Sequence, residues 1–137
     1  MAYNRLRGFE SVDIQKQIDY WLSGSAEEWE LAGHLIDKGK VRQGLFFAHL
    51  AVEKCLKGLV CKRSQDVAPK IHNLLRLAEL AGLSPSREQR GILGELNTLC
   101  ITCRYPDSDS PLGYDKEGAI GFLKEAEGIL TWLKQRY

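Results

Sequence analysis

Within LFFAHLAVEKCLKGLV, residues 45–60, His49, Glu53 and Lys57 follow one another at intervals of four. On a helix that spacing stacks an imidazole, a carboxylate and an ammonium along one edge. Two readings of Glu53 and Lys57 stand side by side. An exposed pair is a helical ion bridge worth about 0.3–0.5 kcal/mol. A desolvated pair would instead anchor an interface or the edge of a pocket. A second signal is CITC, residues 100–103, whose two thiols have zinc-like spacing, with Cys61 and His72 as conceivable further ligands. The helical wheel puts Cys100 and Cys103 in one arc with Ile92, Leu93, Leu96 and Leu99, so they are expected to be buried apolar residues. No metal site is expected. A third signal is Arg104, whose guanidinium suits phosphate or nucleotide, or else closes a helix and bonds the following loop through Asp107.

Helices must position these groups, because the apolar residues recur with helical period and nowhere alternate as in a strand. Ile14, Ile18, Trp21, Leu22, Trp29, Ala32 and Ile36 share one face of a first long helix. SVD at 11–13 caps it, DKGK around Gly39 ends it, and LSGSAEE in its middle predicts a bend near Gly24. A second helix spans 41–63, a short third spans 71–81 after Pro69, a fourth runs from a Ser86 cap to about Cys103, and a fifth covers 116–136. The expected fold is all-α: an antiparallel up-and-down bundle of four long helices plus one short helix. Residues 1–11 read as an N-terminal extension and 12–137 as the single domain.

The second helix is apolar on two sides. Leu45, Ala48, Val52, Cys55, Leu56, Leu59 and Val60 form one arc; Phe46, Phe47, Leu50 and Cys61 form another, with Glu53 and Lys57 in the seam. A helix apolar nearly all round is covered on more than one side. Phe46, Phe47, Leu50, Glu53 and Lys57 are therefore expected at a homodimer interface. If every helix reverses direction, the ends of helices two and four and the starts of three and five share one pole. That pole would gather Lys62, Arg63, Lys70, His72, Arg104, Tyr105 and Asp107, of which Arg104, Tyr105, His72, Lys62 and Arg63 are the expected phosphate contacts.

With 137 residues, 44% apolar and 27% charged, the chain has the composition of one globular domain. Nineteen basic against 18 acidic residues leave a net charge of +1, so no global field selects a nucleic acid or membrane. No apolar run approaches the roughly 18 residues of a membrane span. The amino terminus lacks a signal-peptide core. A cytoplasmic protein with reduced thiols is expected.

Three stretches in order, DYWLSGSAEEWELAGHLIDKGKVRQGLFFAHLAVEKCLKGLV, PKIHNLLRLAELAGLS and CRYPDS, resemble the HEPN domain family (higher eukaryotes and prokaryotes nucleotide-binding) over about residues 12–135. The resemblance implies a bundle of four long helices and a short one, usually dimeric, often paired with a minimal nucleotidyltransferase in a toxin–antitoxin-like system. No cofactor is expected. Many such proteins are metal-independent ribonucleases whose motif is an Arg followed four to six residues later by a His. Arg104 matches the first position, but no His follows it. The leading expectation is thus a non-catalytic or weakly active dimeric partner whose Arg104 pole meets nucleotide or RNA. The rivals are an endoribonuclease toxin using Arg104 with a displaced His72 or Asp107, and a pure protein-interaction module.

Overall fold

The structure is a computed structural model that describes residues 12–104 and 113–137, with Arg104 described in its backbone alone. Five helices occur among the described residues: α1 Ile14–Asp37, α2 Val41–Ser64, α3 Leu74–Leu80, α4 Arg87–Arg104 and α5 Lys116–Lys134. No strand occurs among the described residues. The all-α bundle of four long helices and one short helix is what the periodicity predicts.

Local chemistry sets the helix ends. Asp13 accepts from the Lys16 amide at 3.0 Å to start α1. Gly39, at φ +81°, ends the turn that follows it. Ser86 and Gln89 form a reciprocal capping box at α4, with bonds of 2.8 and 3.1 Å. Asp115 accepts from Gly118 at 2.7 Å and opens α5. The short helix begins three residues later than expected. Asn73 takes an extended conformation and accepts from the amides of Leu75 and Arg76, so Ile71 and His72 precede the cap.

Helix α1 runs unbroken through Gly24. The small residues there serve close packing. Buried Ser25 donates to the Ala51 carbonyl of α2 at 2.7 Å, and a Cβ on Gly24 would meet the Lys54 stem at 3.1 Å.

The four long helices alternate in direction. Ser25 faces Ala51 while Ile36 lies against Gly44, so α1 and α2 are antiparallel. Cys103, near the end of α4, sits within the field of Arg42 at the start of α2. The Arg136 carbonyl beyond α5 accepts from Lys62 Nζ at the end of α2, at 3.0 Å. The short α3 does not take part in the alternation. It starts beside the middle of α2 and ends at Gly82 against Arg63, so it runs parallel to α2. Helix α2 touches all four others, whereas α1 meets neither α3 nor α4. Leu45, Val52, Leu56, Leu74, Leu77, Leu93, Leu96, Ile129 and Leu133 form the core around it.

Candidate functional site

The buried charges cluster on α2. Glu53 Oε2 lies 2.9 Å from Lys57 Nζ and 2.9 Å from His72 Nδ1, and Oε1 lies 3.7 Å from His49 Nδ1. Glu53 is 5% exposed and Lys57 6%. The cover comes from the same protomer: Trp21 of α1 lies with its ring centroid 5.3 Å from Lys57 Nζ, and His72 arrives from the segment before α3. Glu53 and Lys57 are therefore inside the protomer, not on an interface as the seam position suggested. Two nitrogen donors converge on one carboxylate because α2 is roofed here by a neighbouring helix and a connecting segment. The exposed-pair reading of these residues is overturned as well.

His72 differs from the rest of the cluster, since 62% of its side chain is exposed. A carboxylate accepts from Nδ1–H, so in the neutral ring the lone pair lies on Nε2. This is the arrangement of an oriented general base.

Asn97 of α4 ties the cluster to the bundle. Its Oδ1 accepts from the Leu74 amide and its Nδ2 donates to Asn73 Oδ1, both at 3.0 Å. It also borders His49, whose imidazole burial pushes below its usual range, with Glu53 and Asn97 pulling the other way. A pH dependence follows. Unfolded, His49 takes a proton near 6.5; folded, it resists until lower pH. In that interval the unfolded state binds more protons, so stability is complete above the unfolded value and is lost as pH falls beneath it. The slope from this group approaches about 1.4 kcal/mol per pH unit. Urea unfolding between pH 7.5 and 5 checks this: a His49→Phe protein is expected to show a shallower acid loss. Parallel curves would contradict the assignment.

The predicted polar pole divides in two. Lys62 and Arg63 end α2 beside Arg136 and Gly82, whereas the backbone of Arg104 ends α4 near Arg42 at the opposite end of the bundle. The pole divides because α3 runs parallel to α2 and does not reverse the chain. His72 lies with neither end but at the Glu53 level. Arg104 lies seven positions beyond Asn97 on α4, about 10 Å along the axis. Tyr105 and Asp107 lie outside the described residues.

Phe46, Phe47 and Leu50 are half-buried. Phe46 and Phe47 pack on the core and meet edge to face at 5.6 Å. On α2, Phe46 and Leu50 fall between Ala51 and Lys54, which meet α1, and His49, which borders α4. Among the described residues α1 and α4 do not touch across this strip of the central helix.

All four cysteines are buried free thiols, with Cys55 and Cys103 pushed up to about 11 by burial. Cys103 belongs to the core cluster, as its arc predicts. Among the described residues no three His, Cys, Asp or Glu side chains form a metal-binding group, and no helix is long and apolar enough to cross a membrane.

Sequence reasoning missed Asn97, Asn73 and the lid role of Trp21. One signal for Asn97 was available. It occupies the position after Leu96 and four after Leu93, at the edge of the apolar arc, where a partly buried amide requires a partner.

Comparison with known proteins accords with this architecture. The crystal structure of TT1696 from Thermus thermophilus superposes with a TM-score of 0.73 at 23% identity, covering 88% of this chain and 98% of that one. At that identity the likeness is one of fold. No curated protein matches the chain. The HEPN domain model matches residues 18–136, a span that includes every helix from the first turns of α1 to the end of α5. With the match running through nearly the whole bundle, the chain belongs to the HEPN domain family.

Proposed function

We propose that this HEPN domain acts as a cytoplasmic homodimer that partners a minimal nucleotidyltransferase in a toxin–antitoxin-like pair, with its Arg104 end contacting nucleotide or RNA phosphate. The observation that supports the dimer is Leu50, a large apolar side chain on the central helix that is only partly buried and lies between the sides of α2 that meet α1 and α4. A large apolar side chain on the central helix of a bundle is normally covered, and a second copy of the strip is the simplest cover. Catalysis is not carried over from ribonuclease relatives, because no His follows Arg104.

Light scattering on the purified chain tests the dimer. The wild type is expected at the mass of two chains, and Leu50→Arg at the mass of one with its helical circular dichroism intact. A monomeric wild type would remove the reading. Co-expression with a neighbouring nucleotidyltransferase, followed by tandem purification, tests the partnership; failure to co-purify would leave a plain interaction module.

One observation favours a second reading, an endoribonuclease. His72 is held through Nδ1 by buried Glu53 while most of its side chain is exposed. Its Nε2 would take the proton from a ribose 2′-hydroxyl while Arg104 neutralises the phosphate. Incubating RNA with the protein in EDTA decides between them. Cleavage lost in both Arg104→Ala and His72→Ala promotes the nuclease; no cleavage by the wild type supports the non-catalytic partner.

A further inference from the structure

A groove of about 370 Å³ runs between α1 and α5. Its floor is apolar, with Trp29 and Ile36 from α1 and Ile120 and Leu123 from α5. Ile120 is 40% exposed, and Trp29 and Leu123 are only partly buried. At Gly33 the groove reaches the backbone of α1, since a Cβ added there would meet nothing within 4 Å. Helix α5 ends beside the end of α2 and therefore runs against α1. Glu127 thus lies towards the Trp29 end of the groove and Ile120 towards the Asp37 end. The two carboxylates, Asp37 and Glu127, stand about 10–12 Å apart along the axis, the rise of the seven or eight residues that separate the ends of each wall.

Charge says what would lie in it. Asp37 and Glu127 are exposed, and among the described residues neither has a cation within ion-pair distance. The cations stacked on tryptophan among these residues lie over Trp21 and Trp132, which leaves the Trp29 ring without one. Lys124 is the one cation on the groove's wall, and it also lines the neighbouring recess between α4 and α5 together with Glu88 and Glu125. An apolar floor bounded by two carboxylates, with an indole at one end, is complementary to apolar side chains flanked by two cations. A channel between two helices suits a third helix, whose residues i, i+3, i+4 and i+7 share one face and span about 10 Å. That span matches the separation of Asp37 and Glu127.

We propose that the α1–α5 groove docks an amphipathic helix of a partner protein, one that presents two adjacent apolar side chains between two basic ones in the pattern Arg-x-x-Leu-Leu-x-x-Arg. The leucines lie on Ile120 and Leu123 where Gly33 leaves room. One guanidinium meets Glu127 against the Trp29 indole, and the other meets Asp37. The surface uses neither Leu50 nor Arg104, so this docking and the function proposed above stand or fall separately.

The full chain is titrated with an Ala- and Gln-based helical peptide carrying that pattern, while the Trp29 indole and Gly33 amide signals are followed by NMR. Both signals are expected to shift, with affinity falling as salt rises. Asp37→Lys combined with Glu127→Lys is expected to weaken binding at least about 10-fold, as two attractions become two repulsions. Gly33→Leu fills the middle of the groove and is expected to abolish binding. Leucine is a better helix former than glycine, so this variant keeps the fold, and a circular dichroism melt verifies both proteins. A peptide with glutamate in place of both arginines is expected not to bind. Absence of shifts at millimolar peptide overturns the proposal, as does binding that either variant leaves intact, or equal binding of the glutamate peptide. Shifts of the same two signals on concentrating the chain without peptide would give the groove to a second copy, and would overturn it too.

Discussion

Glu53→Ala is expected to lose about 3–5 kcal/mol of folding stability, the cost of leaving a buried charge unpaired. Lys57 is 6% exposed and its ammonium has one carboxylate at 2.9 Å. Without Glu53 that charge keeps only the face of Trp21, 5.3 Å away at the ring centroid, which is worth far less than an ion pair. His72 loses its anchor at the same time, so the segment entering α3 relies on Asn73, Asn97 and the packing of Ile71 on the core. A double substitution separates these effects. Glu53→Gln with Lys57→Met removes both charges and keeps the volume, and it is expected to recover most of the loss. Urea denaturation of the single and double variants measures the coupling. A Glu53→Ala protein as stable as the wild type would mean that water reaches Lys57, and the buried cluster would have to be abandoned.

Gly44→Ala is the second large effect, and its direction opposes intrinsic preference. Alanine favours a helix interior over glycine by roughly 0.5–1 kcal/mol. At Gly44, however, the new Cβ would collide with Ile36 Cγ1 and fall 3.1 Å from the Ala32 carbonyl oxygen. Ile36 is 1% exposed and has no space to yield into, so α1 and α2 must separate. Overpacking of this kind costs about 1–3 kcal/mol, which exceeds the propensity gain. Gly121 provides the control. It lies inside α5, where an added methyl would meet nothing within 4 Å, so Gly121→Ala is expected to stabilise by about 0.5–1 kcal/mol. Thermal melts of the two variants should move in opposite directions; a shared direction would remove the close α1–α2 contact as the explanation.

Much of this architecture was legible before any coordinate. The 3.6-residue period separates the buried face of α5, Ala119, Phe122, Ala126, Ile129, Leu130 and Leu133, from its charged one. The cap residues Asp13 and Ser86 name their own helix starts. Both devices are local, acting within one or two turns, and local chemistry can be read one residue at a time. The apolar arc holding Cys100 and Cys103 was equally readable, because burial of a face is a property of the helix that carries it.

What could not be read was direction and distance between elements. A seven-residue α3 can reverse the chain or run beside its predecessor, and nothing in LLRLAEL distinguishes the two. That one choice sends Arg104 to the other end from Lys62 and Arg63 and brings His72 to Glu53. The spacing of His49, Glu53 and Lys57 determined that an acid and a base would be neighbours on α2. Only the tertiary structure decided that they are dry, because their cover, Trp21 and His72, comes from parts of the chain on either side of that helix in sequence. Desolvation is a property of what surrounds a group, and side chains that close over a charge from distant positions leave no periodic trace.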